Sequence, residues 1–293
     1  MTVVDSTLFS EDFTALDIRI NELNPVVDLF LICESNFSFS GKPKDFYLSK
    51  NLSRYSKFLH KIRVIRYELE DPHPNAWVQE SKQRQFLSSQ IRSLGLLPSD
   101  LIISSDCDEI PKATVIFNLI DKPTNHLLVL RNFTGYLNVE CGVYRRCRVS
   151  SAREFTSVEK MRRDIYVYDN WDNRRVVFPV MKIPQWFTCR GGGGLFPELT
   201  YRKPKLNVIE DAGWHFNHLM RGESMRRKIM FSSHTALAQG VDTLAINDAM
   251  AKAEDVYKRQ ITKIVDIDDS FPVYVQEHKS LLQEYIYSKK PTN

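Results

Sequence analysis

Three short apolar runs, separated by two stretches of helical period, constrain this chain more than any other feature. Residues 26–33, 61–69 and 101–105 are apolar or alternating segments bounded by turn residues, which predicts strands. Between the first two, residues 46–59 place Tyr47, Leu48, Leu52, Tyr55, Phe58 and Leu59 near helical spacing. Between the second and third, residues 77–94 put Leu87, Ile91 and Leu94 on one stripe, closed by Gly95 and Pro98. This β-α-β-α-β order predicts an α/β fold with a mixed, mostly parallel central sheet flanked by helices.

The third run ends abruptly in Asp106-Cys107-Asp108-Glu109-Ile110-Pro111. In an extended chain alternate side chains share a face, so Asp106 and Asp108 are expected to point together and Cys107 toward the core. Two carboxylates at the C-terminal end of a strand suit a hard divalent cation. That edge is also where open α/β sheets bind ligands. The first run ends in Glu34-Ser35-Asn36. Parallel strands would bring these residues to the same edge, although by residue type alone a strand cap and turn explains them better. Stepping back along the second helix places Arg84 on its inward stripe, where it either snorkels outward or reaches an anion.

The remainder of the chain is less regular. A short helix is expected at 113–120, a short strand at 127–130 and strand with turn at 133–144. Arginines and lysines crowd residues 145–175, which reads first as a solvated basic face and second as an anion contact. Four glycines at 191–194 predict a mobile loop, and no phosphate-loop lysine follows them. Residues 208–216, Val-Ile-Glu-Asp-Ala-Gly-Trp-His-Phe, set His215 between aromatics with two acids upstream. Helices are expected at 221–239 and 244–260.

Composition sets outer limits. A net charge of +4 over 293 residues gives no argument for a nucleic-acid partner. The five cysteines are an odd number without zinc spacing, so free thiols are expected. The first 13 residues carry no basic region of a secretory signal. No run approaches the roughly 18 apolar residues of a membrane span. The expectation is a cytoplasmic protein. Residues 1–25 are expected to be an N-terminal extension, 26–240 the catalytic domain, and 241–293 a helical segment packed on it.

Three segments in order resemble one family. Asp28-Leu29-Phe30-Leu31-Ile32-Cys33-Glu34-Ser35-Asn36, with Phe39-Ser40-Gly41-Lys42 after it, resembles an N-terminal signature. Ser105 to Pro111 resembles an acidic motif. Ala212-Gly213-Trp214-His215-Phe216, then Lys228 and Ser232-Ser233-His234, resembles a C-terminal signature. The family is glycosyltransferase family 17, of β-1,4-mannosyl-glycoprotein 4-β-N-acetylglucosaminyltransferase type. The resemblance implies a GT-A-type nucleotide-sugar transferase fold and a UDP-sugar donor, UDP-GlcNAc first, with inversion at the anomeric carbon. It implies transfer to a hydroxyl of a glycan acceptor.

On that footing Asp106 and Asp108 are expected to hold Mn²⁺ (or Mg²⁺), with His215 as third ligand and His234 in reserve. Glu34, Ser35, Lys42, Arg84, Lys228 and His234 are expected around the donor. Asp211 or Glu210 is expected to be the base, from their proximity to His215. Donors such as UDP-xylose or UDP-glucose satisfy the same motifs. A metal-dependent phosphohydrolase is a more distant alternative.

Overall fold

A computed structural model describes residues 1–122, 124–169, 205–233, 242–257 and 261–288 of the chain, without the side chains of 166–169. Its centre is a mixed, mostly parallel sheet. Strands β1 (Val3–Leu8), β2 (Leu29–Ser35), β3 (Ile62–Tyr67) and β4 (Leu101–Ser104) form a parallel block in the order β3-β2-β1-β4. The sheet continues antiparallel from β4 to β7 (Val139–Ser151), then to β6 (Asn125–Thr134). Strand β9 (Gly213–Asn217) runs parallel to β6, and β5 (Glu109–Pro111) pairs antiparallel with β9. Two short strands, β8 (Asn207–Ile209) on β6 and β10 (Lys263–Ile264) on β7, lie off this path.

Alternation along the strands builds both layers. Val3, Phe30, Ile32, Leu101 and Ile103 face α1 (Phe13–Leu23), whose Ala15, Leu16, Ile20 and Leu23 complete that core. Val4, Leu31, Cys33 and Ile102 face the other way. They pack on Leu87 and Ile91 of α3 (Ala76–Arg92) and Val158 of α5 (Val158–Asp169). The side chain of Asn75 caps α3 by accepting from the Trp77 and Val78 amides.

The first 25 residues are therefore not an extension. β1 lies between β2 and β4, the middle of the parallel block. Its Asp5, Ser6 and Thr7 are fully buried. They are tolerated because Arg19 of α1 donates to the Asp5 carboxylate at 2.7 Å and Ser6 Oγ donates to the Ile103 carbonyl at 2.7 Å.

Other expectations shift in detail. Residues 46–59 split into α2 (Tyr47–Lys50) and a 3₁₀ segment, Leu52–Lys61, with a kink at Tyr55. The short strand at 127–130 is ten residues long. Helix α6 (Gly222–Phe231) replaces the first part of 221–239, and α7 (Thr243–Lys252) that of 244–260. The basic stretch is a solvated face only in part: Arg153 and Lys160 are exposed, whereas Arg148 and Arg162 turn inward. Arg148 is fully buried and donates to the His126 and Met161 carbonyls. The glycine run, Arg174, Arg175 and His234 lie outside the described residues.

Beyond α7, Phe271 and Val275, the latter on α8 (Val273–Glu277), pack on Ile18, Ile110, Phe133 and Trp214. Four cysteines, Cys33, Cys107, Cys141 and Cys147, are buried free thiols. Among the described residues no helix is long and apolar enough to cross a membrane.

Candidate active site

The carboxyl ends of β1, β2 and β4 open on one cleft of about 700 Å³. The loops leaving those strands supply Asp12, Phe37 to Phe39, Lys44, Asp106 and Asp108 to its wall; helices α3, α5 and α6, strands β7 and β9, and Tyr257 supply most of the rest. This is the place where an open α/β sheet binds ligands.

The acidic segment is a turn rather than a strand continuation. The Glu109 amide donates to the Asp106 carbonyl at 2.9 Å, and the chain re-enters the sheet as β5. Arg19, with no exposure, clamps this turn from beneath. Its guanidinium donates to the Asp106 carbonyl at 3.0 Å, the Glu109 carbonyl at 2.7 Å and Ser105 Oγ at 2.8 Å. Glu109 faces inward and accepts from both Arg162 nitrogens at 3.0 Å. Strand β9 is brought against β5 at Gly213, whose φ is +154°. A Cβ there would lie 2.2 Å from the Ile110 carbonyl oxygen. Pairing from that point sets His215 opposite Glu109.

Each carboxylate of the motif meets cations. Asp106 accepts from Arg84 at 3.2 Å and pairs with Arg162 at 3.0 Å. Arg84 is buried and also pairs with Glu80, with Glu159 at 3.7 Å. It thus reaches the acidic cluster rather than solvent. Asp108 accepts from Lys228 at 2.8 Å, and the same ammonium pairs with Asp12. Burial pushes the Asp108 carboxyl up, but Lys228 and then His215 outweigh it and hold it well below the ordinary carboxylate range. For Asp12 burial wins over Lys228 and the carboxyl is raised.

His215 is stacked on the Tyr144 ring, with centroids 3.8 Å apart. Burial lowers its pKa, with Asp108 opposing, so the imidazole is neutral at pH 7. Its Nδ1 lies 2.7 Å from the Asn132 amide oxygen and carries the proton. Nε2 then faces the cleft, 3.7 Å from Asp108. An imidazole oriented through its other nitrogen is the usual arrangement of a metal-binding histidine.

Among the described residues no three histidine, cysteine or acidic side chains converge as a ready cation centre. The donor chemistry nevertheless fits one. Two carboxylates and a neutral imidazole line one wall, and the Lys228 ammonium is a stand-in cation on Asp108.

Several expected residues are elsewhere. Glu34 is fully buried, accepts from the Leu48 and Ser49 amides of α2 at 2.9 and 3.0 Å, and does not line the cleft. Ser35 is buried as well, its Oγ accepting from the Phe37 amide. Lys42 is exposed and does not line the cleft; Lys44 does. Glu210 and Asp211 are exposed, and Asp211 pairs with Lys112 at 2.7 Å. They precede β9 at the end away from the cleft, so neither is placed to act as base. Sequence reasoning missed Asp12, Arg162 and Lys44. The crowd of cations at 145–175 was the only signal for Arg162.

The sequence model of glycosyltransferase family 17 matches residues 1–160, more than half of the chain. The chain belongs to glycosyltransferase family 17. The matched span holds β1 to β4, the acidic turn and Arg84, which form one wall of the cleft. A β-1,4-mannosyl-glycoprotein 4-β-N-acetylglucosaminyltransferase of Rattus norvegicus is 31% identical over 115 residues, covering 37% of this chain and 21% of the rat protein. The Homo sapiens protein of the same name is also 31% identical over 115 residues, covering 37% of this chain and 22% of its own. The match thus spans about a fifth of these relatives' length.

Proposed function

We propose that this family 17 protein is a glycosyltransferase that moves a sugar from a UDP-sugar to a hydroxyl of a glycan acceptor. N-acetylglucosamine is the first candidate, because the relatives are named for its transfer. The observation that carries the reading is the gathering of Asp106, Asp108 and His215 with Arg84, Arg162 and Lys228 in one cleft at the carboxyl ends of β1, β2 and β4. A GT-A-type arrangement of the sheet belongs to the same reading.

The chemistry explains why both charges are needed. The acceptor oxygen attacks the anomeric carbon, the bond from that carbon to the β-phosphate oxygen breaks, and negative charge grows on the departing diphosphate. Inversion follows when the attack comes from the opposite face. Basic groups at the leaving group stabilise that charge, and loss of one such donor typically costs about 10²–10³ in rate. Lys228, Arg84 and Arg162, which line the cleft, are the candidates for that role. Asp106, Asp108 and His215 would hold Mn²⁺ or Mg²⁺, which when bound neutralises the diphosphate. The acceptor proton must go to a group within hydrogen-bond reach. Of the acids, Asp12, Glu80, Asp106, Asp108 and Glu159 line the cleft.

The test is a comparison of nucleotides and donors. With Mn²⁺ present, UDP is expected to raise the melting temperature more than GDP or CDP. UDP-GlcNAc is expected to release UDP faster than UDP-xylose or UDP-glucose in the presence of a β-mannosyl glycan. Equal response to all nucleotides would overturn the UDP-donor reading, and preference for another sugar would replace GlcNAc alone.

A further inference from the structure

The cleft holds a cation that the acidic network leaves over. Lys44 lines it from the loop between β2 and α2. Its Nζ is shielded from solvent and, among the described residues, has no hydrogen-bond partner. Its Nζ lies 5.5 Å from the centroid of the Tyr47 ring. The acids that act on it are occupied. Glu34 accepts from the two amides of α2, Glu11 pairs with Arg227 at 2.8 Å, and Asp12 pairs with Lys228. Burial lowers the Lys44 pKa, and these carboxylates only partly oppose it. An ammonium out of water without a partner is costly to the fold, and an anion that meets it removes the cost.

The loop that presents Lys44 is held in place. Phe37 bridges Pro43, and the Lys44 amide donates to the Asn36 carbonyl at 2.9 Å. Ser38 and Lys42 bond each other through both main-chain and side-chain groups. The tip is tied across the cleft, since Ser40 Oγ donates to the Met230 carbonyl of α6 at 2.7 Å. A partnerless charge on a fixed loop is preorganised for a ligand. Lys228, Arg84 and Arg162 differ, because their charge is already shared with carboxylates.

We infer that Lys44 is a binding residue for the diphosphate of the donor, meeting a phosphate oxygen from the cleft wall. The inference rests on the nucleotide-sugar reading and narrows it to one residue. Lys44→Met keeps the length of the stem and removes the charge. Isothermal titration of wild type and variant with UDP, inorganic pyrophosphate and uridine, at one fixed Mg²⁺ concentration, separates the contributions. The variant is expected to lose about tenfold or more in affinity for UDP and pyrophosphate, the scale of one charge-assisted hydrogen bond. Uridine affinity is expected to be unchanged. The melting temperature without ligand is expected to equal or exceed that of wild type, whereas a structural lysine would lower it.

Unchanged UDP and pyrophosphate affinity, or an equal loss for uridine, overturns the assignment while leaving the donor reading intact. Pyrophosphate binding that depends on Lys44, without UDP binding, keeps the anion site and removes the UDP donor. No binding of either by wild type removes both.

Discussion

Replacing Lys228 by methionine tests the electrostatics of the cleft directly. The ammonium sits between Asp12 and Asp108, with side-chain exposures of 18%, 11% and 12%. Solvent screening is weak at that depth, so the surface-pair discount does not apply. Without the ammonium two carboxylates face each other. Asp12, already raised by burial, is the one to take up a proton. Protonating a carboxyl of ordinary value 3.8 costs about 4 kcal/mol at pH 7 and about 1.6 kcal/mol at pH 5, at about 1.36 kcal/mol per unit. That ceiling agrees with the roughly 3–5 kcal/mol for breaking a buried pair.

Wild-type Asp12 already bears part of the cost, so the loss is expected to be about 2–4 kcal/mol at pH 7, shrinking to about 1 kcal/mol at pH 5. The sign follows from linkage. Asp108, lowered in the fold, contributes stability above its unfolded value that is lost as pH falls through its folded value. In the variant Asp12, already raised, is expected to be raised further, so its stability grows relative to wild type as pH falls. Urea unfolding of both proteins at pH 5, 6 and 7 measures the gap. A gap that is constant with pH, or absent at pH 7, refutes the buried three-charge arrangement.

Three other perturbations have simpler outcomes. Asp211→Asn is expected to keep transfer within about twofold of wild type, because Asp211 pairs with Lys112 outside the cleft; a loss beyond tenfold in a UDP-release assay would restore it as a base. EDTA is expected to stop UDP release, with Mn²⁺ restoring it; full activity in EDTA would remove the cation from the proposed chemistry. Gly213→Ala is expected to cost more than about 2 kcal/mol, since its Cβ would meet the Ile110 carbonyl oxygen at 2.2 Å and Pro111 Cα at 2.7 Å; an unchanged melting temperature would show that β5 and β9 can separate without cost.

Much of the fold was legible because three strands obey simple rules. The runs at 26–33, 61–69 and 101–105 are strands in the structure, and their parallel order follows from the helical segments between them. β1 was not legible. Half of it is Asp5-Ser6-Thr7, and only the distant partners Arg19 and Ile103 make those residues compatible with burial. A polar run of this kind reads as surface until its partners are known.

The site divides in the same way. Arg84 was found because a charge on an apolar helical stripe demands a partner, and that partner is Asp106. Glu210 and Asp211 misled because nearness in sequence was taken as nearness in space. Asp211 lies before β9 begins at Gly213, where its own φ of +48° turns the chain, and the strand then advances about 3.3 Å per residue toward His215. The acids therefore sit at the end of β9 away from the cleft, where Asp211 pairs with Lys112. Lys42 and Lys44 show the opposite error on a smaller scale. A single residue, Pro43, separates an exposed lysine from one whose ammonium is shielded, and the loop's pairing of Phe37 with Pro43 and of the Lys44 amide with Asn36 decides which enters the cleft. Periodicity tells which face a strand or helix buries, but it does not tell where a loop puts its charges. The cleft is built mainly from loops that leave the parallel strands, so its scaffold is more legible in the sequence than its cations.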